Sequence, residues 1–143
     1  MKTLVYILVL GCALYLVVGG RHANDYFYCD TDGGYISLKI KGDYLLYEMK
    51  KDSESKFGYA SRTPAYSGFS YIRKPSLQDK EVNFNSGREN YTLFKKYQNG
   101  KTLAGVKIVN LLNNNEVVYK CKRIQVDKLL FLLTKINSER EPE

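Results

Sequence analysis

Strict two-residue alternation, cut at short intervals by turn residues, most constrains this chain. Ile36, Leu38 and Ile40 share one face of a segment whose other face carries Ser37, Lys39 and Lys41. Gly42-Asp43 follows, with glycine first as a type II′ hairpin turn requires, and Leu45, Tyr47 and Met49 return on the opposite leg. Side chains that alternate in this way belong on a pleated strand with one buried face. The pattern recurs in Glu81–Tyr97. There Val82 and Phe84 alternate with polar residues, Asn85-Ser86-Gly87 interrupts, and Tyr91, Leu93, Lys95 and Tyr97 resume. This is a second hairpin with a polar, glycine-containing tip.

Shorter runs complete the pattern. Tyr26-Phe27-Tyr28-Cys29 opens it and Asp30-Thr31-Asp32-Gly33-Gly34 turns it. Weaker strands are expected over Phe57–Arg62 and Gly68–Lys74, a stronger one over Thr102–Leu112, and the last over Glu116–Arg123 after the Asn113-Asn114-Asn115 turn. The period then changes. Val126, Leu129, Leu130 and Leu133 are spaced as one face of a helix, which predicts a short amphipathic helix over 125–136 packed on the sheet. The expected fold is all-β, a small antiparallel barrel or sandwich with one C-terminal helix.

The first residues stand apart. Lys2, then Leu4–Leu10 and Leu14–Val18, then Gly19-Gly20 form a secretory signal, cut after Gly20 or after Ala23. An uncleaved anchor, or lipid on Cys12, are the alternatives, although the apolar residues after Cys12 suit a signal core better than a lipid tether. The expected division is therefore a leader over 1–23, a β-domain over 24–137 and a charged tail over 138–143. Export leaves two cysteines, Cys29 and Cys121, and an even count in an exported chain reads as a disulfide joining the first strand to the last. The expected location is periplasmic or secreted, with contact to a membrane only through the N-terminus.

The chemistry available is narrow. The single histidine, His22, lies at the cleavage region, so the expected domain lacks imidazole and with it Ser-His or Cys-His catalysis and the usual zinc sites. No glycine-rich phosphate loop opens a helix, and no cofactor is implied. Asp43, Glu48, Glu81 and Glu89 sit at turns or beside lysines, with no spacing that marks an acid–base pair. Asp30, Asp32 and Gly33 resemble the start of a calcium loop, but Lys41 stands where the closing glutamate belongs. The net charge of +7, about +5 once Lys2 and Arg21 leave with the leader, is spread over many strands and belongs to an exported chain, which argues against nucleic acid.

A protein partner suits the remainder. Among thirteen tyrosines, Tyr35, Tyr44, Tyr66 and Tyr97 fall on or near turns and are expected to be exposed. Asn90-Tyr91-Thr92 is a glycosylation acceptor in a eukaryotic host. The placing of Tyr28-Cys29, Ser86-Gly87 with Tyr91 after it, and Tyr119-Lys120-Cys121 resembles the MliC/PliC family of bacterial c-type lysozyme inhibitors. That resemblance implies a small antiparallel β-barrel that blocks an enzyme cleft with loop residues. It assigns the inserted serine to Ser86, with Gly87, Arg88 and Tyr91 around it and Lys101 as the candidate lysine. The family's Trp–Lys–Gly segment is missing here, and the tyrosine follows Ser86-Gly87 one residue late. The functional expectation is a non-enzymatic inhibitor or immunity protein for a cell-envelope hydrolase. A ligand- or glycan-binding protein, with a barrel mouth lined by tyrosines and Arg73, is the alternative.

Overall fold

The structure is a computed structural model that describes residues 22–52, 56–63, 66–73, 79–132 and 138–140. Residues 1–21 of the expected leader, Cys12 among them, lie outside these residues, as do positions 133–136 of the expected helix. The fold is all-β. Strands β1 (Asp25–Thr31), β2 (Gly34–Lys41), β3 (Tyr44–Lys50) and β4 (Lys56–Ala60) form an antiparallel meander. Strands β5 (Ser70–Arg73), β6 (Lys80–Ser86), β7 (Glu89–Gln98), β8 (Lys101–Asn110) and β9 (Glu116–Lys120) form a second. Then β10 (Arg123–Asp127) returns to β1, giving sheet orders β10-β1-β2-β3-β4 and β11-β5-β6-β7-β8-β9. The final strand, β11 (Ser138–Arg140), pairs with β5 in parallel. Neither sheet closes on itself through these pairings, so the architecture is a sandwich rather than a barrel.

The turns follow from residue chemistry. Lys41 pairs with Tyr44 and Ser86 with Glu89, each across a two-residue turn whose first residue is a glycine at positive φ, Gly42 at 62° and Gly87 at 60°. An L side chain is strained there, which makes both type II′ turns glycine-led. Asn99 and Gly100, both at positive φ, join Gln98 to Lys101 as a type I′ turn.

The alternating apolar residues meet between the sheets. Ile36, Leu38, Leu45, Tyr47 and Met49 from one sheet and Val82, Phe84, Leu93 and Val106 from the other are almost wholly buried. One end of this core is aromatic. Tyr59, Phe84, Tyr91 and Phe57 stack in sequence at centroid separations of 4.3, 4.9 and 4.8 Å, and Tyr47 lies tilted against Phe84. The two inner rings come from the β6–β7 hairpin and the two outer ones from β4, so the stack ties β4 to that hairpin across the two sheets. Each offset ring pair contributes about 0.5–1.5 kcal/mol beyond simple burial.

Cys29 and Cys121 form the expected disulfide, across a sequence separation of 92 residues. It pins β1 to the corner where the chain leaves β9 for the opposite sheet. That corner corrects two expectations. The last strand does not run through to Arg123. It stops at Lys120, the chain bends at Cys121-Lys122, and the Lys122 amide bonds the Asp30 carbonyl at 2.7 Å. Residues 125–127 are strand, not helix, because they complete the free edge of β1, with Val126 opposite Tyr28 and Ile124 opposite Cys29. A ladder of backbone bonds to that edge outweighs the helical spacing of the leucines. Among the described residues only α1 (Leu129–Leu132) is helical, and its Leu129 and Leu132 are fully buried against β1. The expected charged tail is likewise part of the sheet over Ser138–Arg140.

Candidate protein-binding end of the sandwich

A meander places alternate turns at opposite ends. The β6–β7 turn at Gly87-Arg88 and the β8–β9 loop at 111–115 therefore project from the same end, side by side. The Leu111 amide donates to the Arg88 carbonyl at 2.8 Å and locks them together. Gly87 and Arg88 are exposed and Ser86 is half-buried behind them.

The neighbouring loop carries what the sequence reading missed. Leu111 is 52% exposed and Leu112 69%. These side chains are held out by their own backbone. Asn110 Oδ1 accepts from the Leu112 amide at 2.9 Å, Asn113 Oδ1 accepts from the Asn115 amide at 2.9 Å, and Asn114 sits at φ 59°. Asparagine side chains that bond nearby amides fix a loop without a core. The first tip is equally braced. Asn90 donates to Asn83 at 3.0 Å and to Asn85 at 2.6 Å, while Asn83 donates to Asn90 at 3.0 Å and to Thr92 at 2.9 Å. Both amide hydrogens of Asn90 are thus engaged in mid-strand, an arrangement that N-glycosylation would have to break.

The other residues singled out in the sequence fall elsewhere. Tyr91 belongs to the core at 7% exposure, its hydroxyl donating to Glu89 at 2.9 Å. Burial first, then this carboxylate, hold its phenol well above the ordinary 10.0, so it stays neutral at physiological pH. Lys101 is exposed but lies at the far end of β8, about 30 Å from the Ser86 tip at strand rise. One flat contact with a small cleft cannot include both. Tyr44 and Tyr97 are exposed as expected, at 43% and 54%. Tyr66 is not. It is buried at 8%, in a left-handed backbone conformation (φ 63°), between amide bonds to Thr63 and from Phe69.

Two other features of the surface carry polar chemistry. On the outer face of β1–β3 an open groove of about 580 Å³ is lined by His22, Asp25, Tyr28, Tyr35, Ser37 and Glu48, among others. In the chain described, His22 is packed here, 4.7 Å from the Tyr28 ring and 2.7 Å from the Asp25 carboxylate. Glu48 accepts from Tyr35 at 3.3 Å and from Lys39 at 3.4 Å, with Lys56 also at 3.4 Å. Burial alone would raise its carboxyl. The two ammonium groups more than offset that and hold it below the ordinary 4.5. Beside it, the buried Ser37 hydroxyl has no hydrogen-bond partner among the described residues. On the outer face of β7–β9 a second groove, of about 380 Å³, runs over Phe94, Leu103 and Val118 between lysines 96, 107 and 120.

Among the described residues no group of three or more His, Cys, Asp or Glu could hold a metal ion, and no helix is long and apolar enough to cross a membrane. Arg73 lies in β5, and its side chain is outside the described residues. Comparison with known protein families, with characterised proteins and with solved structures finds no match to this chain.

Proposed function

We propose that this is an exported, non-enzymatic protein that binds and blocks another protein, a cell-envelope hydrolase such as lysozyme, as an inhibitor or an immunity protein. One observation carries the reading: Leu111 and Leu112 stand exposed beside the Ser86-Gly87-Arg88 tip, on loops braced by side-chain amides. An apolar pair flanked by an arginine, displayed on a rigid support, offers apolar area to bury and loses little entropy on binding. The disulfide suits an oxidising compartment, periplasmic or extracellular. The resemblance to lysozyme inhibitors points to the same tip through Ser86, with Lys101 removed from the contact and Tyr91 behind it as support.

The test is inhibition of cell-wall lysis by a panel of lysozymes and other peptidoglycan hydrolases. One enzyme should be inhibited stoichiometrically. Leu112→Asp should then weaken inhibition about thirtyfold, equivalent to about 2 kcal/mol, and Ser86→Ala measurably, whereas Lys101→Ala should leave it unchanged. Inhibition insensitive to Leu112→Asp would refute the site, and no inhibition across the panel would refute the target class. The polar groove around Tyr28, Tyr35 and Glu48 supports a second reading, a periplasmic ligand- or glycan-binding protein. Glycan binding abolished by Tyr35→Ala, with no hydrolase inhibited, would favour it.

A further inference from the structure

The outer edge of β9 is open. Strand β9 pairs with β8, and among the described residues no strand pairs with its other side. It has no proline and no bulge, and Glu116, Val117 and Val118 are exposed. Such an edge is a template for another strand.

The parity of the β8–β9 ladder says which groups it offers. The Cys121 amide bonds the Ala104 carbonyl and the Asn110 amide bonds the Asn115 carbonyl. In an antiparallel register where Val106 faces Tyr119 and Ile108 faces Val117, the odd-numbered residues of β9 spend their backbone bonds on β8. The amides and carbonyls of Glu116, Val118 and Lys120 therefore point outward.

We propose that the protein forms a two-fold symmetric dimer by antiparallel pairing of β9 with β9 of a second copy, the axis passing through Val118. This register sets Glu116 opposite Lys120 of the second copy and Val118 opposite its own equivalent. All three outward-facing residues then meet as hydrogen-bonded pairs, about six backbone bonds in all. The side chains agree with the backbone. On the outer face two Glu116–Lys120 pairs of opposite charge flank a Val118 pair. On the inner face each Val117 meets a Tyr119, a β-branched residue against an aromatic one. Shifting the axis to Val117 or Tyr119 keeps that parity but leaves two hydrogen-bonded pairs within the strand instead of three, and it removes the charge match. Neither Glu116 nor Lys120 has an ion-pair partner among the described residues of the monomer, so both charges are available. Val118 and Lys120 also line the groove of the β7–β9 face, so the grooves of the two copies meet along the seam.

Sedimentation of the protein as the expressing cell processes it tests this from about 1 µM to about 1 mM. A reversible dimer is expected. Glu116→Lys and Lys120→Glu should each raise its dissociation constant about tenfold, because each sets like charges opposite one another twice across the axis. The double reversal should restore the constant to within about threefold of the parent. The melting temperature of the diluted monomer should not change in any of the three. A chain monomeric over the whole range overturns the proposal. So does an association that neither single reversal weakens, since association through any other surface, including the apolar N-terminus, would ignore this charge cycle.

Discussion

Opening the Cys29–Cys121 bond should remove much of the domain's stability. The bond closes 92 residues, nearly the whole domain, and the chain-entropy relation gives about 4.6 kcal/mol for a loop of that length. An unfolding entropy of about 2.1 cal/mol/K per residue, over a domain of roughly 115 residues, converts this to a fall in melting temperature of about 19 °C. Structured denatured chains make that figure a ceiling, and about 10–19 °C is expected. The right variant is the double substitution Cys29→Ala with Cys121→Ala. Cys29 is wholly buried, and a serine there would add an unsatisfied hydroxyl and confound the entropy. Thermal unfolding followed by far-ultraviolet circular dichroism, with and without reductant, gives the comparison. Reduced parent and double alanine variant should melt together, both well below the oxidised parent, and reductant should not move the variant. If thiol titration shows the bond open and the melting temperature falls by less than about 5 °C, the reasoning is wrong. The β1–β10 pairing would then hold the corner without its crosslink.

Two further perturbations probe the sandwich. Glu48 has a lowered pKa, so its contribution is present above the ordinary carboxylate value and disappears as pH falls through the lowered folded value. Glu48→Gln should therefore be less stable than the parent at pH 7, and the gap in urea midpoint should close as the pH falls below the ordinary carboxylate value; parallel curves would show that Lys39 and Lys56 do not act through this carboxylate. Gly34→Ala should destabilise the protein by about 3 kcal/mol or more, because a Cβ would lie 1.6 Å from the Lys50 carbonyl oxygen. Gly42→Ala, with open space around it but a positive φ, should cost only about 1–2 kcal/mol in the same denaturation assay.

What the sequence makes legible here is what neighbouring residues decide. Alternation placed Ile36, Leu38, Leu45 and Tyr47 inward, and glycine placed the turns at Gly42 and Gly87. The disulfide followed from counting cysteines. What was not legible depends on partners remote in sequence. Val126 fits a helical stripe and a strand equally well, and only the unpaired edge of β1, about a hundred residues earlier, decides between them. Tyr66 reads as an exposed turn tyrosine beside Pro64 and Gly68, yet the loop folds it into the core. His22 reads as a residue lost or frayed at the leader, yet Tyr28 and Asp25 hold it. Leu111 and Leu112 did leave a local signal. They continue an apolar run after alternation has ended and directly before three asparagines, where no core face remains for them.

Parity joins the two surface proposals. In the β6–β7–β8–β9 meander each turn reverses the chain, so Gly87-Arg88 and 111–115 share one end while Asn99-Gly100 faces the other. A blocking surface must therefore recruit Leu111 and Leu112 to Ser86, and cannot recruit Lys101. Parity along β9 acts at right angles to this. Odd residues bond β8, and Glu116, Val118 and Lys120 face out from the side of the sheet rather than its end. The proposed dimer seam and the proposed contact tips thus use different backbone groups. Pairing through β9 leaves the Gly87-Arg88 turn outside the seam and sets two copies of it on one continuous sheet. A dimer of this kind would carry two binding ends, and the loss of dimerisation by Glu116→Lys would leave each of them intact.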